Sequence, residues 1–201
     1  YEILVNKSTL NPILSGISDP RLFYYIYNSL GSANTLGNNN PYEYKDGNFV
    51  SINFSSQNPA QGFDQSKSLS TAGVYYCGGK FDNAGVGGAI LISSAKGAAP
   101  QRLLTRYQVT YTRAELALAG ITSEDPRALL AQAINESFAK VNSVTALAEP
   151  SAPQISIALR DAYREAVLLK YDAASANAKL EMIMTQKWIA NFGNPIESYT
   201  D

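Results

Sequence analysis

Glycine is divided very unevenly along this chain. Residues 1–100 hold 12 of the 14 glycines, and residues 101–201 hold two, Gly120 and Gly193. A glycine inside a helix costs ~1 kcal/mol relative to alanine, so long helices are disfavoured in the first half and permitted in the second. The partition predicts a mainly α protein. Helical hairpins occupy 101–201, and a loop-rich, irregular half with short strands occupies 1–100. At 201 residues the chain is large enough for a sizeable core, so both halves are read as parts of one domain spanning 1–201.

Four segments of the second half carry a helical period. Residues 107–119 place Val109, Thr112, Leu116 and Ala119 on one stripe, and Gly120 stops the helix. Ser123 is the candidate N-cap of the next helix, and Pro126 stands in its first turn, where a missing N–H costs little. Residues 126–141 turn Leu129, Leu130, Ala133, Ile134 and Phe138 to one face. Glu136 and Lys140 are spaced as an i,i+4 ion pair worth ~0.3 kcal/mol on a solvent-facing side. These two helices form an αα-hairpin. After a linker at Glu149–Pro153, residues 154–170 point Ile155, Leu159, Tyr163, Ala166 and Val167 inward. In the last helix Ser175 serves as N-cap, Glu181 lies near the positive end of the dipole, Gly193 takes a positive φ and Pro195 forbids resumption. Its apolar steps are Leu180, Ile183, Met184, Trp188 and Phe192. Burying Trp188 would remove ~200 Å² from water, at most ~5 kcal/mol at ~25 cal/mol/Å², so Trp188 is expected in the core rather than as a sugar platform.

The first half reads differently. Tyr1–Leu10 resembles the tail of a helix ended by Asn11-Pro12. Asp19-Pro20 is a turn, in which the Asp19 side chain can accept from backbone amides two residues on. Phe23, Tyr25 and Tyr27 alternate with Tyr24, Ile26 and Asn28 as in an extended segment packed on both sides. Residues 31–40 and 58–67 are loops, Asp46-Gly47 is a turn, residues 49–55 alternate as a strand, and residues 89–93 form a short buried extended piece. The run Gly73–Gly88 lacks the lysine-hydroxyl ending of a phosphate loop, and its glycines are read as loop punctuation.

Composition removes whole classes of chemistry. Histidine is absent, which excludes Ser-His-Asp and Cys-His nucleophiles and every imidazole metal site. The single Cys77 forms no internal disulfide or thiolate cluster and reads as a small buried hydrophobe. A net charge of −1 gives no electrostatic footprint for nucleic acid. No apolar run approaches the ~20 residues of a membrane helix. The carboxylates Glu124 with Asp125, and Glu115 with Glu181, show no sign of the shared cleft a glycosidase needs. Asp64, Asp82 and Asn83 lack the DxDxDG-like spacing of a calcium loop. No catalytic residue, metal or cofactor is assigned. What remains is binding. Sugars present apolar C–H faces beside hydroxyls, and their complement is an aromatic ring beside amides or carboxylates. The loops supply this twice. Tyr42 and Tyr44 follow Asn38–Asn40, and Tyr75 and Tyr76 precede Lys80, Asp82 and Asn83. These four tyrosines are the candidate ligand contacts.

Three stretches resemble one family. IMTQKWIANFGNPIESYTD, with Thr185, Gln186, Lys187, Trp188, Glu197, Tyr199 and Asp201, resembles the C-terminal signature of the SusD/RagB family, in its SusD-like branch. RAELALAGITSEDPRALLAQAINESF, with Arg113, Ala114, Glu115, Leu118, Gly120, Ala133, Ile134, Ser137 and Phe138, is similar to a helix pair of that family, with Leu130 near its usual tyrosine. Asp19, Pro20, Arg21 and Leu22 match its DPRL-like turn. The resemblance implies a nutrient- and glycan-binding lipoprotein of the Bacteroidetes outer membrane. It implies TPR-like helix pairs, although the usual TPR tryptophan pattern is absent. It further implies capture of oligosaccharide, or of peptide in some relatives, without bond cleavage, and delivery to a TonB-dependent SusC-like transporter. The competing readings are a TPR-like protein-interaction scaffold with no small ligand and a glycosidase. The chain opens on Tyr1 without a charged leader, so it is expected to be a portion of a longer protein, anchored through lipid attached upstream.

Overall fold

The computed structural model describes residues 17, 19–28, 43–46, 49–52, 70–73, 75, 78 and 96–194, with the backbone alone at 27–28, 43–46, 49–52 and 70–72. The expectations for residues 1–10, 31–40, 58–67 and 89–93, for Cys77 and for Pro195 lie outside these residues. The described chain is mainly helical, with short strands only in its first half. None of its helices is long and apolar enough to cross a membrane.

The first half enters through one helical turn, α1 (Leu22–Tyr25), which runs into strand β1 (Ile26–Asn28). An extended segment was expected from Phe23. Instead the Arg21 carbonyl accepts from the amides of both Tyr24 and Tyr25 at 3.0 Å, and the turn buries Leu22, Tyr24 and Tyr25 together. The side-chain alternation thus belongs to a helical turn for its first half and to a strand only from Ile26. β2 (Glu43–Asp46) and β3 (Phe49–Ile52) pair antiparallel as a hairpin, Asp46 opposite Phe49. β4 (Ser70–Ala72) pairs antiparallel with β1, Ile26 opposite Ala72. At Gly78 a side chain is impossible for two reasons. Its φ is +62°, and an added Cβ would stand 2.3 Å from the Ala99 amide nitrogen.

Helix α2 (Arg106–Leu118) starts on a capping box, in which Thr105 accepts from the Gln108 amide and Gln108 reaches back to the Thr105 amide. It ends at Gly120 with φ +73°. Its buried face is Tyr107, Gln108, Thr110, Tyr111, Ala114 and Ala117. The expected stripe is wrong: Val109 and Leu116 are 42% and 37% exposed, and Thr112 and Ala119 are exposed. Two tyrosine rings carry more apolar area than a valine and a leucine, and Ala114 and Ala117 let a neighbouring backbone come close.

Helix α3 (Pro126–Ala148) runs one to two turns beyond the expected end. It buries Leu129, Leu130, Ala133, Ile134 and Phe138 as expected, and adds Val141, Val144 and Ala148. Its N-cap is Asp125, which accepts from the Arg127 amide at 2.9 Å, not Ser123. With Pro126 at the first helical position, the cap must be the residue directly before it. Glu136 does not pair with Lys140. It turns to α2, accepting from Arg106 Nε at 2.9 Å and Thr110 Oγ1 at 2.7 Å.

A clasp fixes the linker: the Asn142 side-chain amide donates to the Ile155 carbonyl at 3.0 Å and accepts from its N–H at 2.9 Å. Helix α4 (Ile157–Ala173) is capped by Ser156 and buries Tyr163, Val167, Leu168 and Tyr171. Leu159, expected inward, is 56% exposed in the first turn, where packing has not yet begun. Helix α5 (Ala176–Ala190) has the expected Ser175 cap, and Gly193 follows at φ +86°. Its buried face, however, is Met182, Ile183, Gln186, Lys187, Ile189 and Ala190. Leu180 and Trp188 are both 44% exposed, so the expectation of a buried Trp188 is overturned. The helix is rotated toward the partners of its two polar residues, as the site below explains.

Candidate functional site

At the centre of the core sits a charge. Asp19 and Arg21 are 3% and 0% exposed. The turn between them places Asp19 Oδ1 2.9 Å from the Arg21 amide and 3.0 Å from Arg21 Nε, and Asp19 Oδ2 2.6 Å from Nη2. Pro20 fixes φ in that turn, so backbone and guanidinium are presented to one carboxylate together. The rest of the guanidinium is consumed by the helices. Nη1 donates to Ser137 Oγ on α3 at 2.8 Å, and Nη2 donates to Gln186 Oε1 on α5 at 3.1 Å and to Tyr163 Oη on α4 at 3.3 Å. Gln186 Nε2 closes the ring by donating to Tyr163 Oη at 2.7 Å. The Arg21 Cζ lies 4.9 Å from the Phe138 ring centroid and 5.4 Å from that of Tyr163.

Burial opposes the charge on Arg21, but Asp19 and then Tyr163 outweigh it, and the group is held well above its ordinary range. Burial drives Tyr163 and Tyr25 upward, so both phenols stay neutral. The network is closed: every member has a partner, which is the condition under which a buried charge is tolerated. Its chemistry is positional. One side chain from the first half fastens α3, α4 and α5 at a single point. A second tie, Lys187 to Glu115 at 3.0 Å, joins α5 to α2. These two bonds explain the rotation of α5. Turning Trp188 inward would carry Gln186 and Lys187 away from Arg21 and Glu115.

Of the tyrosines expected to meet ligand, Tyr75 is the one whose side chain is described. Tyr42 and Tyr76 lie outside the described residues, and Tyr44 is described only as backbone in β2. Tyr75 is 4% exposed, its ring 5.0 Å from that of Tyr25 and beneath the Arg102 guanidinium at 5.1 Å. Burial is the main cause that pushes its phenol up to about 12. A stacking platform needs an open face, so ligand contact at Tyr75 does not fit this placement. Instead its ring packs into the core beside Tyr25. Asp64, Asp82 and Asn83 lie outside the described residues.

Of the four carboxylates weighed for hydrolysis, Glu181 is exposed and the other three are engaged separately. Glu124 pairs with Arg113, Glu115 with Lys187, and Asp125 caps α3. Among the described residues no group of His, Cys, Asp or Glu could hold a metal.

Sequence reading treated Asp19 as a turn former and passed over Arg21, Ser137 and Gln186 as site residues. A signal was present: each stands inside a family-like stretch. Those stretches converge physically, since DPRL supplies Asp19 and Arg21, the helix pair supplies Ser137 and Phe138, and TQKW supplies Gln186. The fold and site therefore define a helical protein whose internal charges are spent on architecture. The chain belongs to the SusD-like family, the SusD and RagB outer membrane lipoproteins, whose family model matches residues 4–201. No curated protein and no solved structure matches it. Membership places the protein at the outer membrane, in nutrient or glycan binding associated with transport, in a family generally of non-catalytic binders.

Proposed function

We propose that this protein captures oligosaccharide at the outer membrane without cleaving it and passes it to a TonB-dependent, SusC-like transporter, acting as one domain over 1–201. The observation that carries the reading is the Arg21 hub. Its donors and acceptors end on other core side chains, and Glu115, Glu124 and Asp125 are engaged in separate ion pairs and a helix cap. The helices, read as TPR-like hairpins, are the rigid mount, and ligand contact falls to loop tyrosines of the first half. Tyr42, Tyr44 and Tyr76 carry that role, and the buried Tyr75 packs against Tyr25 in the core.

A glycan panel titrated against the protein, followed by tyrosine and tryptophan fluorescence, tests this. Saturable binding with no release of reducing ends is expected, together with co-purification of a transporter. Reducing-sugar release abolished by one carboxylate substitution would overturn it in favour of a glycosidase. Absence of binding to every glycan, with a protein partner retained, would overturn it in favour of a scaffold.

A further inference from the structure

Trp188 is the chain's only tryptophan, and it stands 44% exposed on the outward face of α5. The bonds that tie Gln186 to Arg21 and Lys187 to Glu115 hold it there. Among the described residues no ring or cation stacks on the indole. A tryptophan side chain presents ~200 Å², so a broad apolar face is left open. The neighbours on this face fall into two rows. Leu180, Met184 and Trp188, each four residues apart, form an apolar row, with Leu180 44% exposed and Met184 half-buried. Glu181 and Thr185 form a polar row beside it, the first exposed and the second half-buried. Neither of these two side chains has a hydrogen-bond or ion-pair partner among the described residues. From Leu180 to Trp188 the rows run ~12 Å along the helix.

A helix that docks into a protein groove presents apolar anchors at i, i+3, i+4 and i+7. The outward set that ends on the indole is Glu181, Met184, Thr185 and Trp188, polar at two of its four positions. A sugar chain matches this mixture better. Its C–H faces need an open ring, and its rim of hydroxyls needs free acceptors and donors alongside. The one charge in the rows is the Glu181 carboxylate, which accepts from hydroxyls and repels acidic sugars. We infer that the outward face of α5 is a glycan contact site, with Trp188 as its stacking platform and Glu181 and Thr185 bonding hydroxyls, and that the oligosaccharide it takes is neutral. The inference rests on the glycan-binding function proposed above and adds to it a contact on the helical half.

Because the tryptophan is single, its fluorescence reports this one side chain. The full chain is titrated by calorimetry with cellohexaose, maltohexaose, mannohexaose, xylohexaose and a galacturonate oligomer of matched length. Acrylamide quenching of tryptophan emission is followed in parallel. At least one neutral glycan should bind more tightly than the galacturonate, and it should cut the quenching by about half. Trp188→Ala should weaken that glycan by about fivefold to tenfold, and Trp188→Phe, which keeps a ring, should restore most of the loss. Glu181→Ala should weaken it by about threefold. Both alanine variants should keep a thermal midpoint within a few degrees of the parent, as exposed positions do. A glycan that binds while quenching and the Trp188→Ala affinity stay unchanged would overturn the inference and leave the proposed function standing. So would galacturonate binding more tightly than every neutral probe, or quenching relieved by a co-purified protein and by no glycan. If no glycan of either kind binds, the proposed function fails and this inference falls with it.

Discussion

Helix α3 turns Leu130, Ile134, Phe138 and Val141 inward, whereas α5 turns Gln186 and Lys187 inward and leaves Trp188 44% exposed. Both helices have apolar residues at steps of three and four. In α3 that pattern settles which face is buried, because Ser137, the polar residue that meets Arg21, lies on the apolar face itself. In α5 the competing face offers hydrogen bonds to Arg21 and Tyr163 and an ion pair to Glu115. Leaving those buried groups unpaired costs ~1–3 kcal/mol each, and together they outweigh the further burial of an indole that is already about half covered. Apolar periodicity locates a helix, and the partners of its polar residues decide its rotation.

The contrast can be broken by substitution, and the largest effect belongs to α3. Phe138→Ala should lower stability by ~3–5 kcal/mol in urea unfolding, since it opens a core cavity and removes the ring under the Arg21 guanidinium. Next comes Gln186→Leu, nearly isosteric and more apolar, which an apolar-core account would score as harmless. Here it should cost ~1–3 kcal/mol, because Arg21 and Tyr163 each lose a partner. Trp188→Ala should cost under ~1 kcal/mol by the same assay, as befits a surface side chain. A cost like that of Phe138→Ala would mean that α5 is rotated in solution as the apolar steps suggest.

The smallest effect lies outside both faces, at the exposed Glu124–Arg113 pair. The hydrogen bond from Arg113 holds the Glu124 carboxyl below its ordinary value. A carboxyl whose folded value is depressed adds stability above its unfolded pKa and loses it as pH falls through the folded one. Nuclear magnetic resonance titration should find Glu124 protonating below pH 4.5, its ordinary value, and returning toward it in Arg113→Gln.

Much of the architecture was legible from residue patterns. Glycine partition foretold helices in the second half, and Ser175, Pro126, Gly120 and Gly193 marked helix ends by local backbone chemistry that needs no tertiary partner. The buried face of α3 was legible because five apolar residues share it. The face of α2 was not, since Tyr107 and Tyr111 are amphipathic and can go either way until a neighbour is known. Arg21 was illegible as a core residue for the same reason. Its burial depends on Asp19 two residues away and on three distant partners, at separations of 116, 142 and 165 residues, and no local pattern carries those three. Lys140 teaches the converse. Its spacing from Glu136 favours an ion pair, but the carboxylate finds better donors on α2, and the lysine is left facing a cavity.

The central claim is that Asp19 and Arg21 form a buried pair that fastens the first half to three helices. The direct measurement is urea unfolding of Arg21→Leu and Asp19→Leu, each alone, beside the double variant Asp19→Leu/Arg21→Leu. Arg21→Leu alone strands the Asp19 carboxylate in the core and should cost ~3–5 kcal/mol, whereas the double variant removes both charges and should recover part of that loss. If the double variant is as unstable as the sum of the two single substitutions, or if Arg21→Leu alone costs under ~1 kcal/mol, the pair does not hold this fold together.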